Sequence, residues 1–446
     1  MVEQQKMEIT KDVSKFVKPL TPTSSTLRKY TISFFDDIQP NMNVPLILYY
    51  STPNDVQTNI FNHLEISLAK TLVEFYPLAG RYMGHGSFID CSDQGALYIQ
   101  AKAKFQLSEF LDLASELKLG MLHDFLPCEP GKPSEVDDPL LSVKLTTFEC
   151  GGVAIGMCIS HKFADMATFC TFVDNWATKS RKIGKDESNS KKYSPVFSST
   201  HYFPTLNLLN DEVVVDSNEV MNNCVLRVFS FKGSTITKLR EKIMSKDNIN
   251  IVTHRPSKVQ LIVALLWKAL VDMDKTNGKS KASFVMQAVN LRDKIVPMAP
   301  DNFCGNFITY ANVRIELSES DKIDLQVLVK LLHDSTNKIR SNYAKALTHV
   351  EKDYDVLSRP ILEMCQSITD PDVTCYAFSS WCKFSFYTAD FGWGKPVWRS
   401  TTKVGFPNRV VMMDDEEGDG VDTWVQLDRK QMCELEKDPN IQAYKV

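Results

Sequence analysis

Nowhere in the 446 residues do about 18 apolar side chains run uninterrupted, whereas a membrane-spanning helix needs about 20. No membrane span is expected. The opening segment, Met1 to Lys11, is polar and has no apolar h-region, so no secretory leader is expected either. Excess positive charge is also missing. Fifty-one Lys and Arg stand against 55 Asp and Glu, for a net charge of -4 and a pI near 6.1. No global field exists to hold phosphate backbones, and nucleic acid is not an expected partner. Eleven cysteines are present, but they scatter from Cys91 to Cys433 without a C-x-x-C pair. That spacing favours free, mostly buried thiols in a reducing, cytoplasmic compartment over a disulfide framework. G-x-S-x-G, H-E-x-x-H, G-x-x-x-x-G-K-[ST] and G-x-G-x-x-G are all absent. Serine hydrolase, zinc protease, P-loop and dinucleotide-binding readings therefore lack their local signatures.

What remains is ordinary globular composition, 43% hydrophobic and 24% charged, in a chain long enough for two or three domains. The run Val44–Tyr50 reads as a short buried strand, followed by helical periodicity from Ile60 to Phe75. Val153–Ser160 is Gly-flanked and too short for a helix, while Met166, Cys170, Val173 and Ala177 recur at helical intervals. Hydrophobicity falls between Thr178 and Asn223, and Lys179–Ser194 is almost wholly polar, a linker whose basic residues are interrupted by Asp186 and Glu187. Beyond it, strands are expected at Cys224–Phe231, Phe284–Leu291, Phe307–Ile315, Cys382–Tyr387, Val410–Met413 and Val421–Leu427. Helices are expected at Thr235–Met244 and Lys258–Met273. Strands and helices mix throughout, which predicts α/β architecture in two domains: 1–178, a crossover at 179–223, and 224–446.

One histidine is well placed for chemistry. His161-x-x-x-Asp165 lies where the apolar strand gives way to a helix, a position from which a side chain can enter a cleft. The pattern alone says little, since roughly one such match is expected in two chains of this size. A second, His349-x-x-x-Asp353, sits in a charged segment that reads as a solvated helix face. From position alone, His161 is either a catalytic imidazole or a hydrogen-bonded core or capping histidine, and Asp165 is a natural N-cap. Strand alternation puts Cys158 on the face opposite His161, so it reads as core rather than nucleophile. The acidic run Asp414–Asp419 lacks calcium-loop spacing and reads as a hairpin turn, so no metal site is expected.

Asp390-Phe391-Gly392-Trp393-Gly394 lies some 225 residues after the His161 motif. A specified pentapeptide arises by chance in roughly one of ten thousand chains. With it the sequence resembles the plant BAHD acyltransferases, and most closely the vinorine synthase-like subgroup of alkaloid O-acetyltransferases. Tyr76-Pro77-Leu78-Ala79-Gly80-Arg81, Ser33-Phe34-Phe35-Asp36, Val289-Asn290-Leu291-Arg292, Gly305-Asn306-Phe307 and Ser379-Ser380-Trp381 extend the likeness over almost the whole chain. Thr21-Pro22-Thr23 departs from the more usual Ser-x-Pro-Thr.

The resemblance implies two chloramphenicol-acetyltransferase-like domains of similar size, each a mixed sheet with flanking helices, joined by a long crossover and traversed by a channel at their interface. Acyl-CoA, acetyl-CoA above all, would enter from one mouth and a small hydroxylated acceptor from the other, with His161 between them as general base. It implies that Asp165 is structural and pairs with Arg292, and that Asp390, Gly392, Trp393 and Gly394 shape the fold away from the chemistry. Ser257 and Lys258, at the start of a helix whose N-terminus attracts anions, match positions near CoA. No permanently bound cofactor is expected, and the resemblance implies a monomer. Acceptors other than alkaloids, namely a sugar ester, a terpenoid alcohol or a naphthoquinone, remain open, as do a catalytically silent CoA-binding homologue and a hydrolase or condensing enzyme sharing the His motif.

Overall fold

Short apolar runs bounded by turns become the central strands. In chain order these are β1 (Ile9–Val17), β2 (Lys29–Thr31), β3 (Asn43–Tyr50), β4 (Arg81–Met83), β5 (Phe88–Asp90), β6 (Ala96–Ala103), β7 (Leu141–Thr147) and β8 (Val153–Ser160). There follow β9 (Cys224–Phe231), β10 (Ala282–Asn290), β11 (Ile308–Glu316), β12 (Val373–Ser380), β13 (Trp398–Ser400), β14 (Arg409–Asp414) and β15 (Val421–Asp428). The longer helices are α1 (Ile60–Glu74), α2 (Met166–Arg181), α3 (Gly233–Ile243), α4 (Lys258–Asn277), α5 (Leu325–Thr348) and α6 (Tyr354–Thr369). The computed structural model describes residues 7–51, 60–84, 87–131, 135, 137–183, 194–205, 223–245, 251–278, 280–294, 302–317, 323–348 and 354–444. His349 and most of the 179–223 segment lie outside the described residues.

Two units result, each a mixed sheet with helices. Unit 1 comprises the described parts of Met1–Asn210, Asp301–Asn306 and Phe384–Val404. Unit 2 comprises those of Asp211–Pro300, Phe307–Lys383 and Gly405–Val446. The division is not linear, because 301–306 and 384–404 return to unit 1 from within the later half of the chain.

In unit 1 the sheet order is β1-β6-β7-β8-β3-β13, antiparallel except between β6 and β7. β3 and β8 are buried along their whole length, which is why both read as continuous apolar runs rather than alternating ones. β1 is an edge strand of Lys, Asp and Ser with most residues exposed and a register irregularity between Lys11 and Val13. Such edges resist pairing with another chain. A smaller sheet runs β2-β5-β4.

Unit 2 has the order β11-β10-β12-β14-β15-β9, with β10, β12 and β14 mutually parallel. One face of it, including Val285, Tyr376, Phe378, Val410, Met412 and Val425, packs on Leu261, Leu265, Trp267 and Leu270 of α4. Each such side chain contributes about 1.5–3 kcal/mol on full burial. A Ser257–Gln260 capping box starts α4 and left-handed Gly278, φ 60°, ends it.

Cys382–Tyr387 is not the expected strand. The strand of this region is β12, and the chain then turns at Lys383, whose φ of 71° lies in a left-handed region that breaks an extended run. Phe386–Thr388 forms a single 3-10 turn instead. The acidic run does form the β14–β15 turn, with Asp415 Oδ1 accepting from the amides of Gly418 at 2.8 Å and Gly420 at 3.0 Å.

Candidate active site

β8 ends at Ser160, whose carbonyl accepts from the amides of Phe163 and Ala164 in one tight turn. Asp165 then caps α2, its Oδ1 accepting from Thr168 N at 2.9 Å. The four-residue spacing of His161 and Asp165 is thus the length of turn that joins a strand end to a helix cap. His161 occupies the first position of that turn, its amide held by Met42 O at 2.8 Å, and its imidazole is partly buried.

The ring meets Asn306. His161 Nδ1 is 3.1 Å from Asn306 Oδ1, while Asn306 Nδ2 donates to His161 O at 2.8 Å and to Asp36 Oδ1 at 2.9 Å. With two acceptors before the NH2 group, the amide is oriented without ambiguity. Its oxygen faces His161, so the imidazole carries its proton on Nδ1 and leaves Nε2 as the basic lone pair.

Asp36 anchors Asn306 from behind. It closes a capping box on the single-turn helix Phe34–Asp37, with Ser33 N and Ser33 Oγ donating to Oδ2 at 2.8 and 2.6 Å, and it receives Asn306 N at 2.7 Å on Oδ1. Burial pushes its carboxyl up to about 6, and these hydrogen bonds, Ser33's first, restrain the rise. Asn306 is brought here by a clamp. Thr168 Oγ1 donates to Gly305 O at 2.8 Å and accepts from Gly305 N at 3.0 Å. Gly305 has φ 127°, a conformation that glycine alone adopts freely. Neither Asp36 nor Asn306 was singled out as a functional residue in the sequence. The available signals were Ser33-x-x-Asp36, a capping-box pattern, and the glycine before Asn306.

The other sequence-predicted residues are placed as follows. Asp390, Gly392, Trp393 and Gly394 form a turn in unit 1, with Asp390 Oδ1 accepting from Gly392 N at 2.8 Å and Gly394 N at 3.0 Å. Both glycines have φ above 100°. Phe391 is fully buried edge-on to Trp176, 5.0 Å between centroids, and Trp393 stacks on it. Ser180 Oγ donates to Phe391 O at 2.6 Å and Arg181 to Asp390 O. The block therefore sits at the C-terminal end of α2, about 20 Å along that helix from Asp165 at 1.5 Å per residue.

Arg292 is in unit 2, its guanidinium over the Phe307 ring at 4.9 Å. Ser257 is exposed at the N-cap of α4. Lys258 Nζ is bound to Asp414 Oδ1 at 2.7 Å, Gly418 O at 2.7 Å and Gly420 O at 3.1 Å. Those three acceptors match the three protons of an ammonium group. Cys158 is fully buried, and burial pushes its thiol well up, with Cys128 beside it. A thiol so placed is inert.

The family described as Transferase matches residues 7–442. This chain is a BAHD acyltransferase. The BAHD chain is 33% identical over 441 residues to vinorine synthase of Rauvolfia serpentina, covering 96% of each, and 32% identical over 434 residues to stemmadenine O-acetyltransferase of Catharanthus roseus, covering 95% of each. Its structure is similar to the crystal structure of vinorine synthase with a TM-score of 0.77 at 31% identity over 96% of each chain. It shares the fold alone with TRI101 of F. graminearum complexed with coenzyme A and deoxynivalenol, TM-score 0.67 at 14% identity, over 94% of this chain and 99% of the other. Homologues of this BAHD enzyme acetylate plant alkaloids and other metabolites. Among the described residues no helix is long and apolar enough to cross a membrane.

Proposed function

We propose that this acyltransferase moves an acetyl group from acetyl-CoA to a hydroxyl of a plant specialised metabolite, an alkaloid, within a ternary complex in which His161 is the general base. The observation that carries this reading is the Asn306 Oδ1 contact to His161 Nδ1 at 3.1 Å, which selects the tautomer whose basic nitrogen is Nε2. Alkaloid O-acetylation is supported by the names of the 32–33% identical relatives, and CoA as donor by the complex of the fold neighbour.

An alcohol is far less acidic than an imidazolium of pKa near 6.5, so His161 takes the proton as the oxygen attacks rather than beforehand. The C–O bond forms as the carbonyl π pair moves onto oxygen, the tetrahedral oxyanion collapses back to a carbonyl as the C–S bond breaks, and the proton on Nε2 passes to the departing thiolate. The acyl group arrives activated, so neither an acyl-enzyme nor a redox step is needed. CoA's phosphates are assigned to the α4 N-terminus beside Ser257, where the helix dipole attracts anions.

The test is thiol release from acetyl-CoA with a panel of alkaloid and non-alkaloid alcohols. His161→Ala should lower kcat by about 10²- to 10⁴-fold, the usual contribution of a general base. Retention of most activity, or a covalent acyl-enzyme in the intact mass, would overturn the assignment.

A further inference from the structure

Two histidine rings lie face to face in unit 2, remote in sequence from the His161 motif. His254, in the segment before α4, and His333, on α5, have centroids 3.4 Å apart and planes within 13° of parallel. His333 is wired into the start of α4. Its Nδ1 is 3.2 Å from Gln260 Nε2, and Gln260 Oε1 in turn accepts from Ser257 N at 2.9 Å while Ser257 Oγ accepts from Gln260 N at 3.2 Å. Because Oε1 is engaged in the capping box, Gln260 must present its NH2 to His333, so Nδ1 is an acceptor and the ring is neutral with its proton on Nε2. Asn337 Nδ2 stands 2.7 Å from Nε2; since a neutral imidazole accepts at only one nitrogen, we assign the Asn337 amide the flipped orientation, its oxygen toward that N–H.

We propose that the His254–His333 stack is a pH-operated latch on the N-terminal cap of α4: a second proton on the pair drives the rings apart, and a proton on His333 Nδ1 removes the acceptor of Gln260 and loosens the capping box. Stacked imidazoles 3.4 Å apart cannot both be charged without strong repulsion. The charged neighbours are of both signs. Arg255 adjoins His254, and Arg240 on α3 approaches through its bond to Pro256 O at 3.1 Å. The positive end of the α4 dipole lies alongside. Asp334 on α5 is the opposing charge, and Lys330 already holds it at 2.5 Å. Burial, with His333 next, lowers the pKa of the His254 ring below its ordinary 6.5. A base depressed in this way leaves the closed form undisturbed above about pH 7 and favours opening progressively as pH falls through 6.5. The latch stands independently of where CoA binds.

The experiment is backbone amide exchange of residues 260–262, the first hydrogen-bonded amides of α4, in the full-length protein at pH 7.5 and 5.5, after correction for intrinsic exchange. Wild-type protection should fall by about tenfold at the lower pH, while His254→Phe/His333→Gln, in which neither side chain takes up a proton, should change less than about twofold. Should that variant misfold, NMR titration of His254 in the wild type decides instead, with a step below its ordinary 6.5 expected. Unchanged wild-type protection, an equal loss in the folded double variant, or titration of His254 at or above 6.5 would refute the latch.

Discussion

Asn306→Ala tests how His161 is set. The substitution keeps the backbone N–H that donates to Asp36 but deletes one acceptor and one NH2 group, which together serve His161 Nδ1, His161 O and Asp36 Oδ1. The bond to the carboxylate is of the kind that contributes about 1.5–3 kcal/mol and the neutral bond to the carbonyl about 0.5–1.5, so unit 1 should lose on the order of 3 kcal/mol. The imidazole, no longer held in its Nδ1–H form and free to rotate, should misplace Nε2 by an amount that lowers turnover about 10- to 100-fold. Nothing on Asn306 is assigned to substrate, so KM for acetyl-CoA and acceptor should stay within about threefold. Initial rates of thiol release at varied substrate, paired with thermal melts to certify a folded sample, read both effects. A folded Asn306→Ala protein with kcat within twofold of wild type, or a loss confined to KM, would show that Asn306 does not position the base.

The N-cap at Asp165 should be worth about 1–2 kcal/mol. Asp165→Ala should therefore lower Tm by several degrees, and Asp165→Ser, which restores a capping oxygen, should recover most of that. Asp36 carries a pH signature. Its carboxyl sits at about 6 in the folded chain against an ordinary 3.8, so the native state keeps a proton that the unfolded chain has already released. The group's contribution to stability is whole below about pH 4 and is lost as pH climbs to about 6. Denaturation midpoints at pH 4.5 and 7 should show this slope in wild type and lack it in Asp36→Asn; an equal slope in both would assign it elsewhere.

Much of the frame was legible because it is local. β8 and β3 announced themselves as apolar runs, and α4 by its length and its Ser257 cap. β1 did not, since an exposed edge strand of Lys, Asp and Ser carries no hydrophobic signature and is held by backbone pairing to β6. Cys382–Tyr387 misled because its alternating aromatics mimic a strand, while the decisive event is a backbone reversal at Lys383 that side-chain pattern does not encode. At the site, His161 and its cap could be read as neighbours in sequence. Asp36 and Asn306 lie 125 and 145 residues away, and only tertiary structure brings a helix-capping carboxylate and a post-glycine amide to the same ring.

The scattered membership of unit 1 bears on how the protein comes to life on the ribosome. When the first 210 residues have emerged, most of the large sheet and the histidine exist, yet the amide that orients the ring arrives with residue 306 and the closing edge strand only with 398–400. A fragment cut near the midpoint would thus carry a base without its steering group and a sheet with an uncovered flank. Expressing the halves separately should yield no working catalyst until the missing pieces are supplied in trans.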